Sequence, residues 1–327
     1  MSLLWISLLS FCALPPDSVV QIDSNQSYQQ RLICIESPNA PAYCRFPILE
    51  TQANNWLLYQ PEVSFWLQNI QLSEDSFLVV DQLSRSVVDV VHKRVVLDIE
   101  SGGNLKGLGQ LYQNICFSEM DSRIKFVRGR RTFFNYADMG SQLKRGMDIF
   151  DNLGVEAMYA QLLLLIESPN NSHAVSIAGA KGHFQLMPSV ARKYGLKINH
   201  KLDERVDFDK SAMAAAKLFK YYCVPSAKQV CEMLGLAYEE SDLWFQLLAL
   251  HVYNAGAGNV KKAAAMHQGI TDGPQLIIQL WHTKAGAFGN SSQNYSQLCL
   301  ASYLAYSKYM QMNNSPNAML SNSEACQ

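Results

Sequence analysis

An apolar run that ends at one carboxylate is the most constraining feature of this chain. Residues 161–167 read Gln-Leu-Leu-Leu-Leu-Ile-Glu, and Ser168 and Pro169 follow directly. Together with Met158, these apolar side chains recur at three- and four-residue spacings, which predicts a helix. Because a proline biases the residue before it away from helical geometry, we expect this helix to end at Glu167.

The position of Glu167 predicts a raised pKa. Partial negative charge accumulates at the C-terminus of a helix, and neighbouring apolar side chains remove water, so both effects disfavour the ionised carboxylate. A carboxyl group that stays protonated near neutral pH can serve as a general acid. From this feature alone a solvated surface glutamate is an equally open interpretation. However, the following segment, 174–188, is small, polar and rich in glycine, which is typical of the wall of a cleft.

A second helix is predicted to end at Tyr253-Asn254-Ala255-Gly256. Leu243, Leu247 and Leu250 supply much of its apolar stripe. Gly256 suits the positive φ angle that is common just after a helix end.

These segments resemble, in sequence and in order, the family 1 lytic murein transglycosylases. The resemblance is carried by Glu167-Ser168, by Ser176 with Ala178-Gly179-Ala180, by Gly182 to Pro188, and by Tyr253 to Gly256, and it runs from about Arg128 to about Tyr309. It implies a lysozyme-like, all-α transglycosylase domain. From the chain length and the residue pattern we expect a smaller, helical N-terminal region before it, so that the whole fold is all-α (mainly α). The resemblance further implies cleavage of the bond between N-acetylmuramic acid and N-acetylglucosamine in peptidoglycan, with formation of a 1,6-anhydro end.

The resemblance also assigns roles to individual residues. Glu167 matches the single catalytic acid and base, and the hydroxyl of Tyr253 is expected to point toward it. Glycosidases with two carboxylates need the second within roughly 5 to 10 Å of the first, and no Asp or Glu occurs between Glu167 and Asp203. The residues that match substrate-binding positions are Ser176, Gln185, Met187, Tyr253, Asn254 and Tyr295.

Asp203, Glu204 and Asp207 could still fold back toward Glu167 and supply a second carboxylate. This alternative stays open at the level of the sequence, as do two alternatives for the activity. One is a muramidase hydrolase of the same fold, and the other is a catalytically weak scaffold that binds peptidoglycan.

The chain departs from the family pattern at three places. His183-Phe184 and His251-Val252 replace residues that are usually aliphatic, small or tryptophan, and Ser291 to Tyr295 contains no acid where the family tends to have a glutamate. We interpret both histidines as buried hydrogen-bonding residues. Neither a His-x-x-x-His nor a Cys-x-x-Cys spacing occurs, so no metal or other cofactor is predicted.

The composition restricts the class of partner that this chain is expected to bind. The chain has 327 residues, 48% hydrophobic content, only 17% charged residues and a formal net charge of −1. A nucleic-acid-binding domain would be expected to be basic. We therefore expect peptidoglycan glycan strands as the partner and no nucleic acid.

Four regions are predicted along the chain. Residues 1–20 contain a short apolar run typical of a secretory signal or lipoprotein signal, in which Cys12 is a candidate for lipid attachment and outer-membrane association. Residues 21–120 form an accessory region of unknown role, and the valine-rich stretch Leu78 to Ile99 favours a helix there. The lysozyme-like domain spans 121–312, and 313–327 is a disordered tail. The protein is thus expected to be exported to the periplasm or cell envelope.

An exported chain with eight cysteines is a candidate for disulfides. The local pairs are Cys34 with Cys44 and Cys223 with Cys231. The sequence does not determine which of them form.

Overall fold

A computed structural model describes most of the chain from residue 57 onward. The described residues are 32–35, 44–47, 57–81, 86–94, 107, 109–112, 124–137, 139–169 and 171–313. The predicted signal segment with Cys12 lies outside these residues, and so does the predicted tail except for Asn313.

Helices make up most of the described residues, which confirms the prediction of a mainly helical fold. The α-helices are α1 (Pro61–Gln71), α2 (Gly140–Asn152), α3 (Ala157–Ile166), α4 (Pro188–Lys193), α5 (Phe208–Leu218), α6 (Val224–Leu234), α7 (Leu243–Ala255), α8 (Ala257–Ala264), α9 (Gly273–His282) and α10 (Asn290–Asn313). Two short 3₁₀ turns lie at Glu204–Val206 and Ala265–His267, and a π-helical turn at Phe219–Cys223 joins α5 to α6.

The region before the helical domain contains β-structure, so the expectation of a helix over Leu78 to Ile99 is wrong. Strand β1 (Leu32–Ile35) pairs with β2 (Cys44–Pro47), and β3 (Ser76–Asp81) lies between β4 (Val87–His92) and β5 (Ile124–Arg128), all antiparallel. Valine accounts for four of the six residues of β4 and two of the six residues of β3. Because a branched side chain loses rotamer freedom in a helix and packs well on a pleated sheet, the valine content favours strands once a partner strand is present.

Helix α3 is the centre of the core. Every residue from Met158 to Ile166 is buried, including Gln161, as expected for a helix that is apolar on all sides. Helices α2 and α10 pack against α3, and α1 packs against α10. Leu57, Val63 and Ile70 from the N-terminal region therefore share one core with the helices around α3. The domain boundary near residue 120 stays a prediction.

The candidate pair Cys223 and Cys231 does not form a disulfide, because both cysteines are free and buried. They are eight positions apart along continuous helical turns, which is about 12 Å of rise. The Cα atoms of a disulfide lie about 4.4 to 6.8 Å apart, so two cysteines at this spacing on one helical segment cannot bond. Cys299 on α10 is also free and buried. Pairing of Cys34 with Cys44 stays a prediction.

None of the described helices is both long enough and apolar enough to cross a bilayer.

Candidate active site

Glu167 stands where the sequence predicts it, at the end of the buried helix α3. Its backbone N–H donates to the carbonyl oxygen of Leu163 at 2.9 Å, and the helix stops there, two residues before Pro169. Ser168 follows and is buried, and its hydroxyl donates to the carbonyl oxygen of Gly182 at 3.0 Å. Glu167 therefore lies at the end of the buried helix, and the next residue, Ser168, connects that end to the glycine-rich segment.

The environment of Glu167 raises its pKa to about 7, mainly through burial. The hydroxyl of Tyr295 donates to Oε1 of Glu167 at 2.5 Å and partly offsets this rise. Burial raises the pKa of Tyr295 itself, so its hydroxyl keeps its proton and remains a donor. The predicted raised pKa is confirmed, and water exclusion by the helical core is its principal cause.

Tyr253 does not hold the Glu167 carboxylate as expected. Its hydroxyl donates to the carbonyl oxygen of Phe184 at 2.5 Å, and its ring stacks on Phe219 at a centroid distance of 5.1 Å. Burial and the nearby Glu167 carboxylate both raise the pKa of Tyr253, so this tyrosine still lies beside the acid. The role predicted for Tyr253 is performed by Tyr295, which reaches Glu167 from α10.

Ser176 and Gln185 organise the segment that faces Glu167. The hydroxyl of Ser176 accepts from the Ala180 N–H at 3.0 Å, which closes a tight turn. The side-chain amide of Gln185 donates to the carbonyl oxygens of Ala174 at 3.0 Å and Gly182 at 2.9 Å. Gln185 also adopts a φ of 44°, which is uncommon for a residue with a side chain. Both residues therefore shape this loop through side-chain bonds to its backbone.

Gly182 permits a close approach between this loop and the segment at Arg205. Its φ is 83°, and a Cβ atom there would overlap the carbonyl oxygen of Arg205. Only glycine combines this positive φ with such a backbone contact.

Arg205 braces the same loop, a role that sequence reasoning did not find. It is buried, and its Nη1 donates to the carbonyl oxygens of Gly179 at 2.7 Å and Leu186 at 3.0 Å. Its Nε and Nη2 donate to the two carboxylate oxygens of Asp203 at 2.9 and 2.8 Å. The guanidinium of Arg205 thus connects two backbone carbonyl groups of the loop to the Asp203 carboxylate. The only hint in the sequence is one arginine among three acidic residues.

The acidic residues around Arg205 are bonded to other partners. The bonds to Arg205 hold the pKa of Asp203 well below its usual range, and Lys181 lies 3.3 Å from the same carboxylate. Glu204 accepts from Lys210 at 2.6 Å and from the backbone N–H of Lys197 at 2.6 Å. The carboxylate of Asp207 accepts from the backbone N–H of Lys210 and so caps α5. These acids thus serve structural roles in the 203–210 segment.

The remaining predicted substrate-binding residues lie on the surface. Met187 is 39% exposed and directly precedes α4, which opens at Pro188 as predicted. Asn254 is exposed in the last turn of α7, next to Tyr253. Ser291, where the family tends to have an acid, is exposed in the first turn of α10, one turn before Tyr295.

Both histidines are buried, as the sequence interpretation expects. His183 packs edge-on against Phe208 with a centroid distance of 5.1 Å, and burial lowers its pKa. His251 is fully buried on α7 and hydrogen-bonds Ser296. Among the described residues, no group of three or more His, Cys, Asp or Glu side chains is arranged to hold a metal ion.

Part of this chain is similar to known proteins. Residues 150–271 match the model of the transglycosylase SLT domain. Membrane-bound lytic murein transglycosylase D from two strains of Escherichia coli is 34% identical over 102 residues, which cover 31% of this chain and 19% of each relative. The chain therefore matches about a fifth of the length of these relatives.

A solved structure of an inactive mutant of lytic transglycosylase Slt from Pseudomonas aeruginosa covers 67% of this chain and 30% of its own, with 19% identity and a TM-score of 0.36. The matched region 150–271 contains Glu167, the glycine-rich loop, the Arg205 brace and Tyr253. The resemblance inferred from the motifs is thus confirmed for residues 150–271, which match the transglycosylase SLT domain.

Proposed function

We propose that this protein is a peptidoglycan lytic transglycosylase. It cleaves the β-1,4 bond between N-acetylmuramic acid and N-acetylglucosamine and leaves a 1,6-anhydro-N-acetylmuramic acid end. The observation that carries the proposal is Glu167, a carboxyl group with a pKa near 7 at a rigid helix end, oriented by Tyr295 inside an SLT domain.

The first step uses Glu167 as a general acid. A carboxyl group with this pKa is about half protonated near neutral pH, so it can donate its proton to the glycosidic oxygen as the bond to the anomeric carbon breaks. The N-acetylglucosamine residue departs with a free 4-hydroxyl group. The acetamido oxygen of the muramic acid residue attacks the anomeric carbon from the opposite face and stabilises its positive charge.

The second step uses the same carboxylate as a base. Glu167 accepts the proton of the C6 hydroxyl, the C6 oxygen bonds the anomeric carbon, and the acetamido group is released. Glu167 is then protonated again, and no water is consumed. One carboxylate suffices because the substrate supplies its own nucleophile, which agrees with the structural roles of Asp203 and Glu204.

We assign the glycan strand to the surface next to Glu167, between the loop 174–187, held by Arg205, and the ends of α7 and α10. The proposed substrate-binding residues are Ser176, Gln185, Met187, Tyr253, Asn254 and Tyr295. In this assignment Tyr295 and Tyr253 also orient the acid and its loop.

The proposed substrate also requires export, because peptidoglycan lies outside the cytoplasmic membrane. The apolar segment within residues 1–20 would direct it, and Cys12 is the candidate for a lipid anchor. Both stay predictions from the sequence.

The activity should fall as pH rises through about 7. Only the protonated form of Glu167 can start the reaction, so kcat/KM should decrease about tenfold for each pH unit above that pKa. Initial rates of product release from purified sacculi between pH 5 and 9 would measure this decrease, which is the alkaline limb of the pH–rate profile. A limb centred below pH 5 would show that Glu167 titrates as an ordinary carboxylate.

Replacing Tyr295 by Phe should slow the reaction and also move this limb. The hydrogen bond from Tyr295 lowers the pKa of Glu167, so its loss raises that pKa and shifts the alkaline limb to higher pH. A hydrogen bond to an ionisable group contributes about 1.5 to 3 kcal/mol, so we expect kcat to fall at least about tenfold. Tyr221→Phe, at an exposed tyrosine outside the proposed site, is the control. An unshifted limb in Tyr295→Phe would remove this tyrosine from the mechanism.

A further inference from the structure

Three buried polar side chains form a continuous hydrogen-bond chain behind the candidate active site. The indole Nε1 of Trp281 on α9 donates to Oγ of Ser296 on α10 at 2.7 Å, and the same Oγ lies 2.8 Å from Nε2 of His251 on α7. All three residues are fully buried. Polar groups in such surroundings are costly unless each is paired, so this chain fixes how the three helices meet.

Both partners of Ser296 are nitrogen atoms. An indole N–H can only donate, so Ser296 Oγ accepts from Trp281. The same oxygen has a second lone pair and a hydrogen, so it pairs with Nε2 of a neutral His251 in either tautomer of the imidazole. Burial lowers the pKa of His251 to about 4, which keeps the imidazole neutral.

This series of hydrogen bonds ends directly beside both tyrosines of the site. Ser296 follows Tyr295, whose hydroxyl holds the Glu167 carboxylate, and His251 lies two residues before Tyr253. Helix α10 carries Tyr295 toward α3 from a point 128 residues further along the chain. Its rotation about its own axis decides whether the Tyr295 hydroxyl reaches Glu167, and the Ser296 bonds set that rotation relative to α7 and α9.

We propose that His251, acting through Ser296, is a positioning residue that sets α10 so that Tyr295 holds Glu167. The proposal rests on the proposed function, in which Glu167 is the acid. Without the imidazole at residue 251, the Ser296 hydroxyl loses one of its hydrogen-bond partners inside the core, and α10 shifts to satisfy it. A displacement of about 1 Å at a catalytic group can cost about 10²-fold in rate.

The decisive measurement is the pKa of Glu167 in variants of residue 251, followed by the carboxyl ¹³C shift of labelled glutamate. The signal is assigned by its loss in Glu167→Gln. His251→Leu removes the hydrogen-bonding group, whereas His251→Gln places an amide oxygen and an amide nitrogen as many bonds from the backbone as Nε2 and can form the same bond. We expect the pKa of Glu167 to rise in His251→Leu, as in Tyr295→Phe, and to stay near the wild-type value in His251→Gln.

A double variant separates positioning from a general loss of packing. If His251 acts through Tyr295, adding His251→Leu to Tyr295→Phe causes little further change in the Glu167 pKa or in the rate. Independent roles would instead give additive changes. We expect His251→Leu alone to reduce turnover at least about tenfold. Ser307→Ala, which removes a hydroxyl bonded only within α10, is the matched control and should leave both quantities unchanged.

The titration also separates this proposal from the proposed function, because it needs no substrate. If wild-type protein fails to cleave sacculi but the pKa of Glu167 still responds to residue 251, the activity is wrong and the positioning role stands. An unchanged pKa in His251→Leu would overturn the positioning role. Should His251→Leu not fold, Ser296→Ala tests the same link, with the same rise in the Glu167 pKa expected.

Discussion

Glu167→Gln should lower the release of anhydro-muropeptides from purified sacculi by about 10³-fold, within the range that general acid–base catalysis contributes. Glutamine is nearly isosteric with the protonated acid, but it can neither donate a proton to the glycosidic oxygen nor accept one from the C6 hydroxyl. Mass spectrometry of the soluble products would measure the loss. The same assay distinguishes the alternatives, since a muramidase hydrolase would release products heavier by one water and a scaffold would release none from the wild type.

The control for this variant is Glu156→Gln. Glu156 stands at the opposite end of α3, and its pKa is also raised, mainly by burial. It lies outside the proposed site, so its replacement should leave product release unchanged. Retained activity in Glu167→Gln, or an equal loss in Glu156→Gln, would contradict the assignment of Glu167 as the acid.

Stability provides a second readout of the same substitution. The folded-state pKa of Glu167, about 7, lies above its ordinary value of 4.5, so the folded protein prefers the protonated form. The contribution of Glu167 to the free energy of unfolding should therefore be fully present below pH 4.5 and be lost as pH rises through 7. Glu167→Gln has no such ionisable group, so between these pH values the wild type should lose about 3 kcal/mol more stability than the variant. Denaturant titrations at pH 4.5 and 8 would measure it.

Arg205→Met should destabilise the protein by about 3 to 5 kcal/mol, the usual cost of removing one partner from a buried ion pair. The substitution leaves Asp203 without its guanidinium and the carbonyl oxygens of Gly179 and Leu186 without their donor. Because these atoms belong to the loop that carries Ser176 and Gln185, activity should fall as well. Urea unfolding and product release from sacculi would test both effects.

Arg145→Met is the matched control for the brace. Arg145 pairs with Asp209 at 2.5 Å, but the side chain of Arg145 is 60% exposed and that of Asp209 is 45% exposed. Exposed ion pairs contribute little to stability because water screens them. Similar losses in the two arginine variants would mean that Arg205 does not support the loop beyond an ordinary surface contact.

The helices that carry the site could be predicted because their signals are local. The apolar run before Glu167, the stop at Pro169 and the start at Pro188 each depend on residues within a few positions of one another. The pKa of Glu167 was predictable in direction for the same reason, since a helix of apolar residues supplies its own burial.

Contacts between distant segments were not predictable in this way. Tyr253 lies in a recognisable motif and was expected to hold the acid, yet Tyr295 does so, because the packing of α10 against α3 decides which hydroxyl arrives. The described parts of the valine-rich segment lie in strands β3 and β4 and not in the predicted helix, since β3 pairs with β4 and β5 through hydrogen bonds that its own sequence does not reveal.

A lone carboxylate at the end of an apolar helix, followed by a small, polar, glycine-rich segment, is evident from residues 158–188 alone. Those properties follow from spacing, proline geometry and apolar content along a short stretch of chain. The groups that bond the carboxylate and its loop become evident only in the fold, where Tyr295 donates to Glu167 and Arg205 donates to carbonyl oxygens of the loop. Hydrogen bonds in a core depend on which helices meet, and helix packing brings together residues far apart in sequence.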